Sequence, residues 1–396
     1  MRRGWFVLLG IVLLAFNLRP AAVSVGPVLE EVRAGLSMSA PAAGLLTSLP
    51  VLAFAGFGAL TPELARRVGL HRTALLAAVV LTGGLAARTV VDAEPLFLLL
   101  SLLALAGMAA ANVLLPSLVK LHFPDRVGTL TAIYTTSLAI GLTGAVVLTV
   151  PISDALGGWR AGLGAWALTA AVAIVPWVAL GRRDRSLEVA PRSIGFLDVA
   201  RTPIGRAMAL FFGLQSLQAY AVFGWFATLW RDAGWSATQA GLLVGVVTAT
   251  SIPLSLWAPG AAARRESQRL IVGGLVACYP VGYLLMALAP HTLAVPAALV
   301  VGVGTCTFPV VLVLIGLRSR TPEGTAALSG FAQSTGYLLA ALGPWGMGVL
   351  HELGGGWTLP LAALGALSLP LLAVGLHVAR PATLEDQLAT RTPTTA

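Results

Sequence analysis

Charged residues are scarce in this chain. Only 10% of its 396 residues are Asp, Glu, Lys or Arg, whereas 57% are hydrophobic. The mean hydropathy is +0.87. An average soluble domain carries about 25% charged residues. The composition therefore excludes a soluble globular protein and predicts an integral membrane protein.

Groups suited to catalysis or metal binding are also few. Cys278 and Cys306 lie inside apolar runs, which argues against a disulfide framework and predicts packing roles. The five histidines lie in loops or at the ends of apolar runs, without metal-ligand spacing. We therefore expect no catalytic centre, no metal and no cofactor.

The chain is instead rich in apolar stretches long enough to span a bilayer. Twelve occur in two groups of six, which predicts an all-α membrane fold. We expect an N-terminal half at 1–181, a linker at 182–206, a C-terminal half at 207–380 and a cytoplasmic tail at 381–396. The predicted spans are residues 4–30, 41–62, 73–91, 95–118, 127–152, 160–181, 207–230, 238–259, 270–289, 293–316, 325–350 and 358–379.

The distribution of basic residues predicts the orientation. A net charge of +9 could indicate nucleic-acid binding, but the basic residues are dispersed between apolar runs. With the N-terminus in the cytoplasm, 20 basic residues face inward, whereas Arg33, Arg88, Arg160 and Arg231 face outward. This excess follows the positive-inside rule. It predicts a cell-membrane protein with both termini cytoplasmic and no nucleic-acid partner.

The two groups of spans repeat each other. Residues 39–46 and 236–243 share six identities in eight positions, and residues 65–67 match 263–265 at nearly the same shift. The matching blocks occupy equivalent places in the two groups, so we infer a duplicated six-helix unit. Two parallel six-helix halves with a central site are the architecture of an alternating-access carrier.

The first span is the only one with a charge at its centre. Arg19 lies about 20 Å along it, near the middle of an apolar slab about 30 Å thick, where an arginine costs about 2.5–3.5 kcal/mol. Pro20 and Pro27 each remove a helical hydrogen bond, so we expect the helix to break where the charge sits. Ala22 and Gly26 share the arginine's stripe and leave room around it. Two roles fit Arg19: binding an anion in a central pathway, or locking helices together.

Polar residues at helical spacing in other spans could complete a cavity around Arg19. Amide and hydroxyl groups around one fixed cation suit a small anion or a planar polar molecule. Each could instead make helix-to-helix hydrogen bonds. Asn17, about 200° from Arg19 around the helix, reaches the same cavity only if the helix unwinds near Pro20. The predicted substrate-binding residues are Arg19, Asn17, Asn112, Tyr134, Gln215, Gln218, Gln333 and Tyr337.

Three short motifs carry a family resemblance: Asn-Leu-Arg-Pro at 17–20, Ser-Val-Gly-Pro at 24–27 and Ala-Gly-Leu-Leu-Thr-Ser-Leu-Pro at 43–50. With them, the chain resembles the cyanate and 2-nitroimidazole transporters of the major facilitator superfamily. The resemblance implies two six-helix halves around a central site. It also implies a cyanate-like or nitroimidazole-like substrate.

The sequence departs from the superfamily between the second and third spans. Pro62 stands where the first glycine of the usual motif belongs, and Arg66 replaces its aspartate. Arg67, Gly69 and Arg72 still match. The resemblance therefore implies a basic cytoplasmic turn and leaves the usual charge-relay latch in doubt.

These features predict a secondary transporter that moves a small anionic or polar solute by alternating access, as a monomer in the lipid bilayer. No acidic residue lies deep in a span, which favours uniport or anion exchange over proton coupling. A broad drug-efflux carrier is the alternative, with Arg19 structural and aromatic side chains binding the substrate. A membrane transferase could also use Arg19 to hold an anionic lipid group, but the spans offer no nucleophile or acid–base group.

Overall fold

The computed structural model describes residues 2–38, 40–181 and 194–390. Within these ranges every regular element is helical, and three short 3₁₀ turns lie at Gly26–Val28, Arg88–Val90 and Pro124–Arg126. The α-helices are α1 (Arg2–Val23), α2 (Leu29–Gly35), α3 (Ala40–Val68), α4 (Leu70–Ala87), α5 (Glu94–His122), α6 (Val127–Leu156), α7 (Trp159–Gly181), α8 (Phe196–Arg201), α9 (Pro203–Asp232), α10 (Ala237–Ala263), α11 (Arg269–Leu288), α12 (Ala294–Thr305), α13 (Thr307–Leu317), α14 (Pro322–Ala340), α15 (Leu342–Gly354), α16 (Thr358–Val378) and α17 (Leu384–Ala389).

All twelve predicted spans coincide with helices. Ten of the described helical segments are long and apolar enough to cross a membrane. The other two predicted spans are occupied by α3 and by the pair α14 and α15. Helices α3 and α10 begin at Ala40 and Ala237, which the predicted repeat aligns with each other. The predicted repeat therefore also matches the first residues of these two helices.

The predicted linker is partly helical. It contains α8, and α9 already begins at Pro203, where the Thr202 side chain caps it by accepting a hydrogen bond from the Gly205 N–H. The predicted tail likewise contains α17. The remaining basic residues of the predicted linker and tail, Arg182, Arg183, Arg185, Arg192 and Arg391, lie outside the described residues.

Two spans predicted as single helices are each divided. Residues 293–316 form α12 and α13, and residues 325–350 lie within α14 and α15. Pro309 has no N–H to donate to the Thr305 carbonyl, and Pro344 has none for the Ala340 carbonyl. The helices are interrupted at Cys306 and Ala341, within one turn before each proline. Hydropathy did not reveal these interruptions because both flanking segments are apolar.

The helices cluster into two compact units. The first comprises Met1–Pro124, Ile133–Gly195 and Thr321–Gly330, and the second comprises Asp125–Ala132, Phe196–Arg320 and Phe331–Ala396. In the first unit, α1 packs on α5 and α7, and α4 packs on the same two helices. In the second, α9 packs on α10, α15 and α16, and α11 packs on α12 and α16.

Helix α6 approaches α1 along a stripe of small residues. Ser137, Gly141 and Gly144 follow the spacing i, i+4, i+7, which predicts close helix contact. The Ser137 hydroxyl donates to the Val12 carbonyl at 2.9 Å. A Cβ at Gly141 would lie 2.0 Å from the Phe16 oxygen. That oxygen is the one that Pro20 leaves without a helical donor. The absence of a side chain at Gly141 therefore lets α6 pack directly over the unpaired carbonyl of α1.

We expect Gly141→Ala to destabilise the protein, because its new methyl group collides with backbone that cannot move aside. Overpacking of this kind costs about 1–3 kcal/mol. Gly144→Ala is the matched control on the same helix, since its Cβ would meet only the Trp166 ring at 3.7 Å. Thermal unfolding of the purified variants in detergent measures the difference. Equal melting temperatures for the two variants would show that α6 does not depend on this contact.

Candidate functional site

Arg19 lies in an unbroken part of α1. The helix continues through Pro20 to Val23, and the break comes one turn later than predicted, at Ser24 and Val25. The expected break at the charge is therefore wrong. The helix survives Pro20 because the unpaired Phe16 carbonyl is covered by α6. Arg19 itself is half-buried.

Asn17 is used to join two helices. Its side-chain amide donates to the Leu13 carbonyl at 2.9 Å and to the Thr169 carbonyl at 3.1 Å, and its oxygen accepts from the Thr169 hydroxyl at 2.7 Å. Asn17 is 1% exposed. Because α1 does not unwind at Pro20, Asn17 faces α7 and is not turned toward the side of Arg19. These contacts favour the helix-to-helix role for Asn17.

Gln218 joins three helices of the second unit. Its amide donates to the Leu364 carbonyl at 2.9 Å and to the Ser368 hydroxyl at 3.2 Å, both on α16. Its oxygen accepts from the Tyr283 hydroxyl of α11 at 2.6 Å. The side chain is fully buried. Here too the hydrogen bonds favour the interhelical alternative over substrate contact.

Gln215, one turn earlier on the same helix, has a different environment. Its amide donates only to the neighbouring Ser216 hydroxyl, at 2.6 Å. Its oxygen is buried and has no partner among the described residues. A buried acceptor left unpaired is costly and needs an explanation. A solute that donates a hydrogen bond to this oxygen would provide one.

The other predicted residues are buried. Asn112 on α5 and Tyr134 on α6 are at most 3% exposed, and so are Gln333 and Tyr337 on α14. The Tyr337 ring meets Phe212 edge-on, with ring centroids 5.1 Å apart. The first unit thus holds Arg19, Asn17, Asn112 and Tyr134, and the second holds Gln215, Gln218, Gln333 and Tyr337.

Acidic groups are confined to the ends of the ten membrane-crossing segments. Within those segments the carboxylates are Glu94, Asp125, Asp154 and Asp232, each in a terminal turn. The candidate residues therefore supply one guanidinium together with neutral amides and phenols. Such groups can bind an anion or a planar polar molecule. They provide no deep carboxylate for a proton relay in this part of the described chain.

The turn between α3 and α4 is a single glycine. The predicted loop is wrong in extent, because α3 continues to Val68 and α4 starts at Leu70. Gly69 has φ +98°, a conformation that only glycine adopts readily, which explains the match to the superfamily's glycine. Glu63 accepts hydrogen bonds from Arg66 and Arg67 of its own helix, and these bonds lower its pKa to about 2.

That pKa determines how the turn responds to pH. The folded state favours the ionised carboxylate, so its stabilising contribution is complete above the ordinary value of 4.5 and is lost as the pH falls toward 2. Glu63 therefore stays ionised through the physiological range.

Arg88, one of the four basic residues assigned to the outer side, is buried. It is 1% exposed, and its Nη2 donates to the Ser24 hydroxyl at 3.1 Å. The glycine one turn before it allows this burial, since a Cβ at Gly84 would lie 2.5 Å from the Ala104 nitrogen of α5. The sequence signal that could have indicated this burial is the pair of glycines at 83 and 84. Glycines allow another helix to pack closely around the end of α4.

Comparison with known proteins is consistent with this architecture. The chain matches the family described as Major Facilitator Superfamily over residues 6–344. It is 36% identical over 382 residues to an uncharacterized transporter, YycB, of Bacillus subtilis, covering 96% of this chain and 94% of that one. It is 33% identical to the 2-nitroimidazole transporter of Escherichia coli, covering 94% of each. It is 27% identical to the cyanate transport protein CynX of Escherichia coli, covering 94% and 97%.

Solved structures share the fold. The proton:xylose symporter XylE aligns with a TM-score of 0.73 at 15% identity, covering 98% of each chain. The fucose:proton symporter FucP aligns with a TM-score of 0.76 at 13% identity, covering 94% of this chain and 98% of that one. At such identities the likeness concerns the fold alone.

We expect Gln218→Leu to destabilise the protein by about 2 kcal/mol, because it removes three interhelical hydrogen bonds worth about 0.6 kcal/mol each. Gln215→Leu is the matched control: it is equally buried but bonds only to its neighbour. Its loss should be small. Unfolding in mixed micelles measures both values. A loss for Gln215→Leu as large as for Gln218→Leu would contradict the assigned roles.

Proposed function

Because this chain belongs to the major facilitator superfamily, we propose that it is a carrier of a small anionic or strongly polar solute, with Arg19 as the substrate anchor. The observation that carries the proposal is the half-buried Arg19, which lies near the end of α1 and well inside the membrane-crossing segment Trp5–Val28. A charge at that depth is kept where it serves a pathway or a ligand. The protein is a transporter, and its named relatives are transporters rather than enzymes.

Two relatives suggest the substrate class. One is named a 2-nitroimidazole transporter and the other a cyanate transport protein, and each aligns along 94% of this chain. Both named solutes are small, and each carries electronegative atoms that accept hydrogen bonds; cyanate is linear and 2-nitroimidazole is planar. A guanidinium presents its donors in a fixed fork, which suits small solutes with such acceptors. We therefore propose a cyanate-like anion or a nitroimidazole-like heterocycle.

The neutral candidates divide into two roles. Gln215 has a buried acceptor without a described partner, and we propose that it accepts from the N–H of a nitroimidazole-like solute, which it orients together with Asn112, Tyr134, Gln333 and Tyr337. Asn17 and Gln218 are engaged in hydrogen bonds between helices. We propose that these two hold the helices that present the other groups.

The absence of deep carboxylates in the ten described segments supports uniport or anion exchange. We propose that the carrier acts as a monomer in the cytoplasmic membrane, with both termini inside. The basic residues near the described cytoplasmic turns support this orientation. Solute uptake that depends on an imposed pH gradient would contradict the coupling assigned here.

Arg19→Gln should cut ligand-induced stabilisation by about half or more. In the wild type, cyanate or 2-nitroimidazole at 100-fold excess over its Kd should stabilise the fold by about 2.7 kcal/mol. Losing a charged hydrogen bond, worth about 1.5–3 kcal/mol, weakens binding at least tenfold. Arg231→Gln is the matched control, because Arg231 is exposed at the end of α9. Thermal shift and uptake into proteoliposomes measure both properties.

A folded Arg19→Gln protein that still binds either ligand with wild-type affinity would refute the anchor role. Export of several unrelated bulky cations by the wild type would instead support the drug-efflux alternative. Arg19→Lys separates charge from shape, since lysine keeps the charge but cannot make the planar two-point contact. We expect it to recover only part of the binding.

A further inference from the structure

A cavity of about 240 Å³ lies inside the first unit, where α1 ends. Its walls come from the end of α1, from α3, from the turn after α4 and from α5. Most of the lining is apolar, including Ala22, Val25, Gly26 and Pro50. The small residues that were expected to leave room around Arg19 thus border this space. Arg19 is not among the described residues that line it.

A buried cation faces this apolar space. Arg88 lines the cavity, is 1% exposed and makes one hydrogen bond within the described chain, to the Ser24 hydroxyl. Its Nε is buried and has no partner among the same residues. None of the described lining residues is acidic. A buried guanidinium without a counter-charge is strongly disfavoured unless something neutralises it.

A second unsatisfied donor lines the same cavity. The Ser101 hydroxyl of α5 is fully buried and has no partner in the described part of the chain. Close packing of α4 on α5 sets its position, since Gly84 meets Ala104 and Gly107 meets Leu81. One N–H and one O–H therefore border a space that is otherwise apolar.

We propose that this cavity binds a small, weakly hydrated monovalent anion of the chloride or nitrate class. The guanidinium supplies the charge, and the Arg88 and Ser101 donors supply hydrogen bonds to the anion. Water could occupy the space but would not neutralise the arginine. Apolar walls favour anions that shed their hydration easily, because strongly hydrated ones lose more on entry. The volume is too small for a phospholipid.

The proposed site is separate from Arg19 and does not depend on the proposed substrate. It is joined to α1 through Ser24, which accepts from Arg88 at the break in that helix. An anion that immobilises Arg88 also fixes this break. Anion binding should therefore stabilise the outer end of α1 without requiring the transported solute.

The test uses the full-length protein purified in sodium gluconate, because the gluconate anion is too large and too hydrated for the cavity. Melting temperature is recorded while chloride, bromide or nitrate replaces gluconate at constant ionic strength. We compare wild type with Ser101→Ala and Arg88→Met. Ser117→Ala is the matched control, because its hydroxyl is equally buried and unpaired on α5 but does not line the cavity. Arg19→Gln reports on any central anion site.

We expect saturable stabilisation by bromide or nitrate in wild type, Ser117→Ala and Arg19→Gln. The apparent Kd should rise at least tenfold in Ser101→Ala, and the response should vanish in Arg88→Met. The anomalous signal of bromide in crystals should lie beside Arg88. No saturable response in wild type, an unchanged response in Ser101→Ala, or a loss confined to Arg19→Gln would each overturn the proposal. If Arg88→Met fails to fold, Ser101→Ala alone decides.

Discussion

Backbone carbonyls inside an apolar slab have no water to bond with, so the protein itself must cover them. Pro20 leaves the Phe16 carbonyl without its helical donor, yet α1 continues because Gly141 brings α6 against that oxygen. The neighbouring Ser137 hydroxyl bonds the Val12 carbonyl on the same seam. The helix that carries Arg19 is therefore continuous at the place where another helix packs closely on it. The position of the charge depends on that contact.

The helices could be predicted well because hydropathy is a local property. Each of the twelve predicted spans contains helix, and the matched starts of α3 and α10 follow the repeat. The predicted helix boundaries were wrong where individual residues, rather than average hydropathy, decide where a helix ends. Pro309 and Pro344 interrupt helices inside apolar runs, whereas Glu63, Arg66 and Arg67 prolong α3 beyond its apolar part by pairing with one another.

The candidate site could be predicted only in part, because helical spacing shows which residues share a face but not what that face meets. The partner of Asn17 is Thr169, 152 positions away, and Gln218 meets residues 65 to 150 positions away. Gln215 and Gln218 appear equivalent in the sequence. In the structure they differ. Gln218 forms hydrogen bonds to neighbouring helices, whereas the buried Gln215 oxygen has no partner among the described residues. That distinction depends on distant parts of the chain.

Arg19 and Arg88 show a further limit of reasoning along the chain. Arg19 was conspicuous because it interrupts an apolar run, whereas Arg88 ends one and resembled an ordinary topology marker. A charge at a span end is solvated only if no other helix covers it, and here α5 and the broken end of α1 enclose it. Removing Arg88 from the outer set leaves Arg33, Arg160 and Arg231 there. The enclosed charge of Arg88 says little about which side of the membrane is positive, and the same holds for Arg318 of the predicted inner set, which is also buried.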